Sequence, residues 1–237
     1  MTLHIAIIGA GMAGITAART LVQAGHRVQV FEKSRGAAGR MSTRETVFGT
    51  FDHGTQYFTV RDPRFSLALQ TVQGTKEICR PWSASAVRVL DPLGQVFEAA
   101  KPNHDAHFVA SPGMNALVRH WAQPLGKSLR LHNQVQRMER DAKGQWTLHS
   151  TNTSTGAEIP ETHSGFDRVL LAVPSVQAEQ LLRNSGTHVH ATHFLEAISK
   201  VQVAPCWTLM LAFPNANNPD LPHLGPQWNA ARSTHHR

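Results

Sequence analysis

Residues 4–32 read HIAIIGAGMAGITAARTLVQAGHRVQVFE, and the order of residue types in this stretch decides the fold. His4-Ile5-Ala6-Ile7-Ile8 is a short apolar run, rich in β-branched residues, of the kind buried in a parallel sheet. Gly9-Ala10-Gly11-Met12-Ala13-Gly14 follows it. A strand that enters a helix through such a turn needs three missing side chains. Gly9 permits the tight reversal, Gly11 lets a pyrophosphate reach the backbone, and Gly14 lets the helix pack closely on the strand. The spacing predicts a helix over 12–24, with Ala17 and Leu21 extending its inward face and Gly25 as its stop. Its first turn, Met12 and Ala13 included, points free N–H groups and the positive end of the helix dipole at an anion. Residues 28–31 are the second strand, ending on Glu32, where the fingerprint requires an acceptor for ribose hydroxyls. An acid there disfavours a 2′-phosphate. NAD and FAD share this pattern, so it names an ADP moiety and no more.

The bulk of the chain fits a globular protein around that start. Its 237 residues can bury one large core or two modest ones, and 41% hydrophobic with 16% charged residues carries no signature of general disorder. No apolar run approaches a membrane-spanning length, which points away from a membrane partner. Cys79 and Cys206 are far apart and without a CxxC neighbour, so a reduced, cytoplasmic setting is expected and a structural disulfide is not. The net charge of +7 favours anionic ligands such as dinucleotides. The basic residues are scattered and form no nucleic-acid motif, which leaves a small molecule as the expected partner. The fifteen histidines, among them His188, His190, His193, His235 and His236, lack carboxylate or cysteine companions at ligand spacing, so no metal site is expected.

Residues 32–44, EKSRGAAGRMSTR, come next. Small residues let this loop run close to a ligand, and its arginines can fork onto phosphate oxygens. The run resembles the second dinucleotide motif, Arg-x-Gly-Gly-Arg, of the flavoprotein amine oxidase superfamily, which binds FAD on a Rossmann-type domain. The resemblance implies FAD as cofactor, with Arg35 and Arg40 near the phosphates, Gly39 and Met41 beside them, and Lys33 among the cofactor-binding residues. Ala38 stands at the first glycine of the usual pair, and if that position needs positive φ the added methyl costs affinity. Residues 51–59, FDHGTQYFT, resemble the Asp-His-Gly-Ala-Gln-Tyr-Phe segment of renalase-like flavoproteins, with Thr55 for the alanine. In that group the segment passes near the flavin, which implies His53, Gly54, Gln56 and Tyr57 as neighbours of the ring. Pro112-Gly113-Met114 resembles another flavin-side segment of the group, making Gly113 and Met114 candidates.

The remaining elements are read in order. Asp62-Pro63 caps a helix with Phe65, Leu69 and Val72 on one face. Trp82 and a hairpin over 86–99, turning at 91–94, follow. Met114, Leu117, Val118 and Trp121 mark another helix. Strands are expected at 129–131, 134–139, 145–149 and 166–174, with 151–164 as a polar, turn-rich loop. A helix over 176–182, a strand over 207–213 and an irregular tail from 215 complete the chain. By resemblance, Val135 contacts the adenine and the 166–174 strand, with Ala172 and Pro174, returns to the cofactor. The expected fold is α/β: a Rossmann-type FAD-binding domain (1–60 and 107–175) with an inserted, incomplete α+β substrate domain (61–106 and 176–237). Renalase-like proteins continue for about another third of their length, and 228–233 looks like the start of one of their strands, which 234–237 does not continue. The implied activity is an FAD-dependent oxidoreductase that passes hydride from a small reduced substrate, such as a dihydronicotinamide, to the flavin, with oxygen as the final acceptor. An amine oxidase or desaturase on the same fold is the alternative, and a nucleotide-binding remnant without turnover is another. No catalytic residue is assigned from the pattern.

Overall fold

A computed structural model describes residues 1–72, 74–82, 87–91, 93, 95–99, 107–186, 192–212 and 230–233. The chain divides into two compact units, Met1–Thr43 with Asn115–Thr208, and Arg44–Met114 with Leu209–Arg237.

The first unit is built on a parallel sheet of four strands in the order Leu129–Arg130, Arg27–Phe31, His4–Ile8, Arg168–Leu171. His4–Ile8 is its centre, as its unbroken apolar sequence requires. Side chains alternate across a strand. Ile5 and Ile7 therefore face opposite to Ala6 and Ile8, and all four are buried. The helix Met12–Gln23 covers one side through Gly14, Ile15 and Ala18. A second helix, Asn115–Ala122, buries Leu117, Val118 and Trp121 beside it. Arg19 joins the two, donating to the Trp121 carbonyl at 3.2 Å and lying over its ring. On the other side Ala6, Ile8 and Phe31 share a core with Met138, Leu148, Phe166, Leu181 and Leu182. Those residues come from an antiparallel meander of Asn133–Arg140, Trp146–Asn152 and Ile159–Phe166 and from the helix Ser175–Asn184.

Three expectations are corrected here. The polar stretch 151–164 is a loop only in part, because Ile159–Phe166 is the third strand of the meander, paired through Leu148↔His163 and Ser150↔Glu161. Its polar side chains find cross-strand partners: Glu161 accepts from Asn133 and Asn152 at 2.8 and 2.9 Å. No strand forms over the described part of 207–213, residues 207–212. Trp207, Leu209 and Leu211 are exposed, and no described strand pairs with them. The domain limits also shift. Residues 176–208 lie with the first unit because Leu181 and Leu182 pack into its core, whereas 44–60 and 107–114 lie with the second. The helix Thr192–Ser199, unforeseen in the sequence, lays Leu195 and Ile198 against the same core.

The second unit contains a hairpin, Arg44–Thr46 with Gly49–Phe51, and a sheet in which His107–Ala110 lies between Phe58–Thr59 and Cys79–Pro81. Asp62 caps the helix Pro63–Thr71 as its sequence predicts, accepting from the Arg64 amide at 2.8 Å. The expected hairpin is present as Val87–Leu90 and Val96–Ala99; Ala86, Pro92 and Gly94 lie outside the described residues. Ala230–Ser233, within the 228–233 stretch expected to begin a strand, is a strand that pairs parallel to Val87–Leu90. Phe213 and the rest of the tail fall outside the described residues.

Candidate functional site

The three fingerprint glycines meet three different constraints. Gly9 has φ +104, donates to the Phe31 carbonyl at 2.8 Å, and has no room for a Cβ, which would lie 2.6 Å from the Ala172 oxygen. A Cβ on Gly14 would lie 1.9 Å from the Gly9 oxygen. Gly11 differs: its Cβ would meet only the Gly39 α-carbon, at 3.9 Å. Packing thus forbids a side chain at Gly9 and Gly14 but does not forbid one at Gly11. Gly11 is the N-cap of the helix and offers no side chain to its first amides. Those amides need an outside partner. Met12 is half-buried there and Ala13 exposed.

Glu32 is buried at 8% exposure and holds this turn together. One carboxylate oxygen accepts from the Ala10 amide at 2.8 Å and the other from the Ser34 amide at 2.9 Å. A carboxylate has about four lone-pair sites, so both oxygens retain acceptor capacity for a sugar diol. Sequence reasoning gave Glu32 only the ligand-facing task. Its second task, stapling the glycine turn to the loop that follows, depends on backbone partners that no motif spells out.

That loop lies across the turn. The Ala38 amide donates to the Ala10 carbonyl at 3.1 Å, and Ala38 forms a parallel bridge with Gly11. Ala37, Ala38 and Met41 are buried, whereas Lys33, Arg35, Gly39 and Arg40 are exposed. No ion pair engages Lys33, Arg35 or Arg40 among the described residues. Arg119, which belongs to no motif, brings its guanidinium to 3.6 Å from where a Gly36 Cβ would stand. The Ala172 amide donates to Ile8 at 2.8 Å, and Pro174 caps the helix Ser175–Asn184. Val135 packs on the core next to a bulge in its strand. The first unit therefore gathers every cofactor candidate except Gly54. The arrangement can hold a diphosphate on main-chain amides and cations, and a diol on an acid.

The remaining candidates belong to the second unit, where two motifs read separately in the sequence are hydrogen-bonded together. Asp52 accepts from the Met114 amide at 2.9 Å, and Thr50 donates to the Pro112 carbonyl at 3.4 Å. Met114 is fully buried, precedes the helix it was expected to begin, and offers its sulfur to the Ala110 amide at 3.4 Å. His53 is half-buried, while Gly54, Gln56 and Tyr57 are exposed. Tyr57 stacks on Trp82, with centroids 5.6 Å apart, and lies 4.2 Å from the His107 ring.

A polar network lies beside Phe31 in the first unit. His163 packs on the Phe31 ring at 4.8 Å, and its Nε2 lies 3.2 Å from both the Glu161 carboxylate and the Ser150 hydroxyl. Burial, reinforced by the Arg130 charge, holds its pKa below the ordinary histidine range. Hydrogen bonds, that from Asn152 foremost, hold Glu161 below the usual carboxylate range. Both oxygens of Glu161 are engaged by these neighbours, and two partners crowd a single ring nitrogen. The cluster is therefore a structural brace rather than a nucleophile–base pair.

Comparison with known proteins places these features. The family described as NAD(P)-binding Rossmann-like domain matches residues 7–70, and that described as flavin containing amine oxidoreductase matches 93–235. The chain is 42% identical over 60 residues to 4,4′-diapophytoene desaturase of Staphylococcus haemolyticus, covering 25% of this chain and 12% of the relative. It is 52% identical over 40 residues to an L-amino-acid oxidase of Bothrops pauloensis, covering 17% and 8%. A solved structure from Exiguobacterium sp. 255-15, assigned as a protoporphyrinogen oxidase, superposes with TM-score 0.58 at 14% identity over 77% of this chain and 62% of its own. A putrescine oxidase bound to putrescine gives 0.54 at 14% identity, over 76% and 60%. The chain thus spans less than two thirds of the length of these proteins.

Proposed function

Because this chain belongs to the family of flavin containing amine oxidoreductases, we propose that it binds FAD along its first crossover and oxidises a small molecule by hydride transfer. The observation that carries the reading is the contrast at the glycine turn. Packing accounts for Gly9 and Gly14, whereas a Cβ at Gly11 would make no more than an ordinary contact with the Gly39 α-carbon, so that glycine answers to a ligand beside exposed cations and an acid. The ADP half of FAD fits that donor set. The first-turn amides of Met12–Gln23 and the side chains of Arg35 and Arg40 would hold the diphosphate, and Glu32 the ribose. A bound flavin would supply hydride acceptance, with oxygen as the final electron acceptor. The chain's own residues supply grip, orientation and shielding, and this reaction needs no protein nucleophile.

Within that class the substrate we propose is a dihydronicotinamide, on the resemblance of 51–59 and 112–114 to renalase-like flavoproteins and on the hydrogen bonds joining those segments. The second reading, an amine oxidase or desaturase, draws on the short alignments to the desaturase and the amino-acid oxidase. Both alignments are short, and both readings place the same FAD grip on residues 4–44. A third reading, a nucleotide-binding remnant without turnover, shares that grip as well.

An absorbance scan of the purified chain, with and without added FAD, tests the cofactor. A flavin spectrum that persists through gel filtration is expected; a folded sample that never acquires one rejects the proposal. Anaerobic mixing then separates the substrates. Bleaching by dihydronicotinamides supports the first reading, bleaching by amines alone the second, and a retained but unreactive flavin the third.

A further inference from the structure

We propose that Ala38 is a positioning residue that makes the 34–41 loop a ligand-coupled clasp, biased away from the glycine turn in the free protein and drawn onto it by a diphosphate. The inference rests on the reading of this crevice as a site for an ADP-bearing cofactor. The structure shows the docked state, with the Ala38 amide on the Ala10 carbonyl, the Gly11 bridge, and the Met41 amide returning to the Ala38 carbonyl at 3.1 Å. Docking holds Ala38 at φ +158 and ψ −25. Residues with a Cβ rarely occupy such backbone conformations, and glycine enters them far more readily. An alanine has no rotamer through which to relieve the crowding, and this one is 4% exposed, with packing on all sides. Undocking the loop is the available relief.

Charge acts in the same direction. The loop carries Arg35 and Arg40, with Lys33 just ahead of it, and docking sets Gly39 against Gly11, the N-cap of the helix Met12–Gln23. The first turn of that helix already carries positive partial charge. Arg119 adds a further guanidinium near Gly36. Bringing cations to a positive helix end opposes docking until an anion lies between them, when the same charges favour it. A ligand that binds only the docked state shifts the population toward that state, and its apparent affinity is reduced by the fraction of chains that must first dock. Ala38→Gly removes the backbone contribution and leaves every charge in place.

Limited trypsin digestion of the full chain, read by mass spectrometry at Arg35 and Arg40, tests this with FAD and ADP as probes. In the natural protein either ligand is expected to slow cleavage at both sites. Ala38→Gly should slow it about tenfold without ligand and tighten FAD binding by the same factor, ~1.4 kcal/mol. If FAD binds but the two ligand-free chains are cut equally fast and bind it equally, the clasp is overturned while the cofactor reading stands. Failure of both FAD and ADP to bind either folded chain overturns the cofactor reading and the coupling with it.

Discussion

Two glycines one helical turn apart separate structure from binding. Gly14→Ala places a methyl 1.9 Å from the Gly9 oxygen, a backbone atom that cannot rotate away. The expected cost is ~3 kcal/mol or more, since overpacking this severe must shift the helix off its strand. Gly11→Ala puts the methyl in ordinary contact with the Gly39 α-carbon, at 3.9 Å, with φ −74 and ψ −178, ordinary for alanine. That variant should keep its urea midpoint and lose FAD affinity by at least tenfold, about 1.4 kcal/mol. Equal loss of stability in both variants would show that the turn is packed throughout. Glu32 combines the two effects. Glu32→Ala strands the buried Ala10 amide and the Ser34 amide, each worth about 1–3 kcal/mol, so its FAD affinity must be measured beside its unfolding free energy. Glu32→Gln keeps one acceptor oxygen and should fall between Glu32→Ala and the natural protein in urea titration. The fingerprint made these residues legible because each answers a local backbone demand. Asp52, Arg119 and the second role of Glu32 were not legible, because their partners lie distant in sequence or serve a fold that only tertiary contact reveals.

The elements show the same divide between local signal and tertiary partner. His4–Ile8, Met12–Gln23 and Arg27–Phe31 could be read from periodicity because one face or both of each is apolar. Ile159–Phe166 could not. Its Glu161 and His163 resemble loop residues until Asn133, Asn152 and Ser150 stand opposite. Over 207–213 the mismatch is the reverse: alternating Trp207, Leu209 and Leu211 match a strand pattern, but a strand exists only by pairing. The polar strand also gives the meander a pH response. The His163 pKa is depressed, chiefly by burial, so the unfolded chain binds this proton more readily than the folded one. The neutral ring therefore contributes stability that is full above its ordinary value of 6.5 and is lost as pH falls through the lower folded value. Glu161 is depressed as well, and its contribution is lost only at more acidic pH, below its ordinary value of 4.5. Urea midpoints should therefore decline from pH 7 to 5.5 in the natural protein and stay flatter in His163→Gln. Parallel declines would place the titration elsewhere. Leu181→Ala tests the helix that moved from one expected domain to the other. As a buried core leucine it should cost about 2–5 kcal/mol.

At the scale of the whole chain, the first unit is discontinuous, and its break is closed by its own atoms. The Asn115 amide donates to the Thr43 hydroxyl at 3.2 Å, so the point where the chain leaves this unit lies beside the point where it returns. The core on both sides of the sheet is drawn from within the unit: Ile15, Ala18 and Trp121 on one side, Met138, Phe166 and Leu182 on the other. A segment whose ends nearly touch can be exchanged for a short connection at little entropic cost, because closure entropy grows slowly with loop length. Joining 1–43 to 115–208 through about three glycines should give a polypeptide with a cooperative thermal transition in far-UV circular dichroism. It retains Gly11, Glu32, Arg35 and Arg40, so calorimetry should show ADP binding close to that of the full chain. A cooperative fold that fails to bind ADP when the full chain binds it would show that the grip needs more than the first unit supplies. Loss of the transition, with dye-binding apolar surface in its place, would show that the second unit is required for the sheet to form.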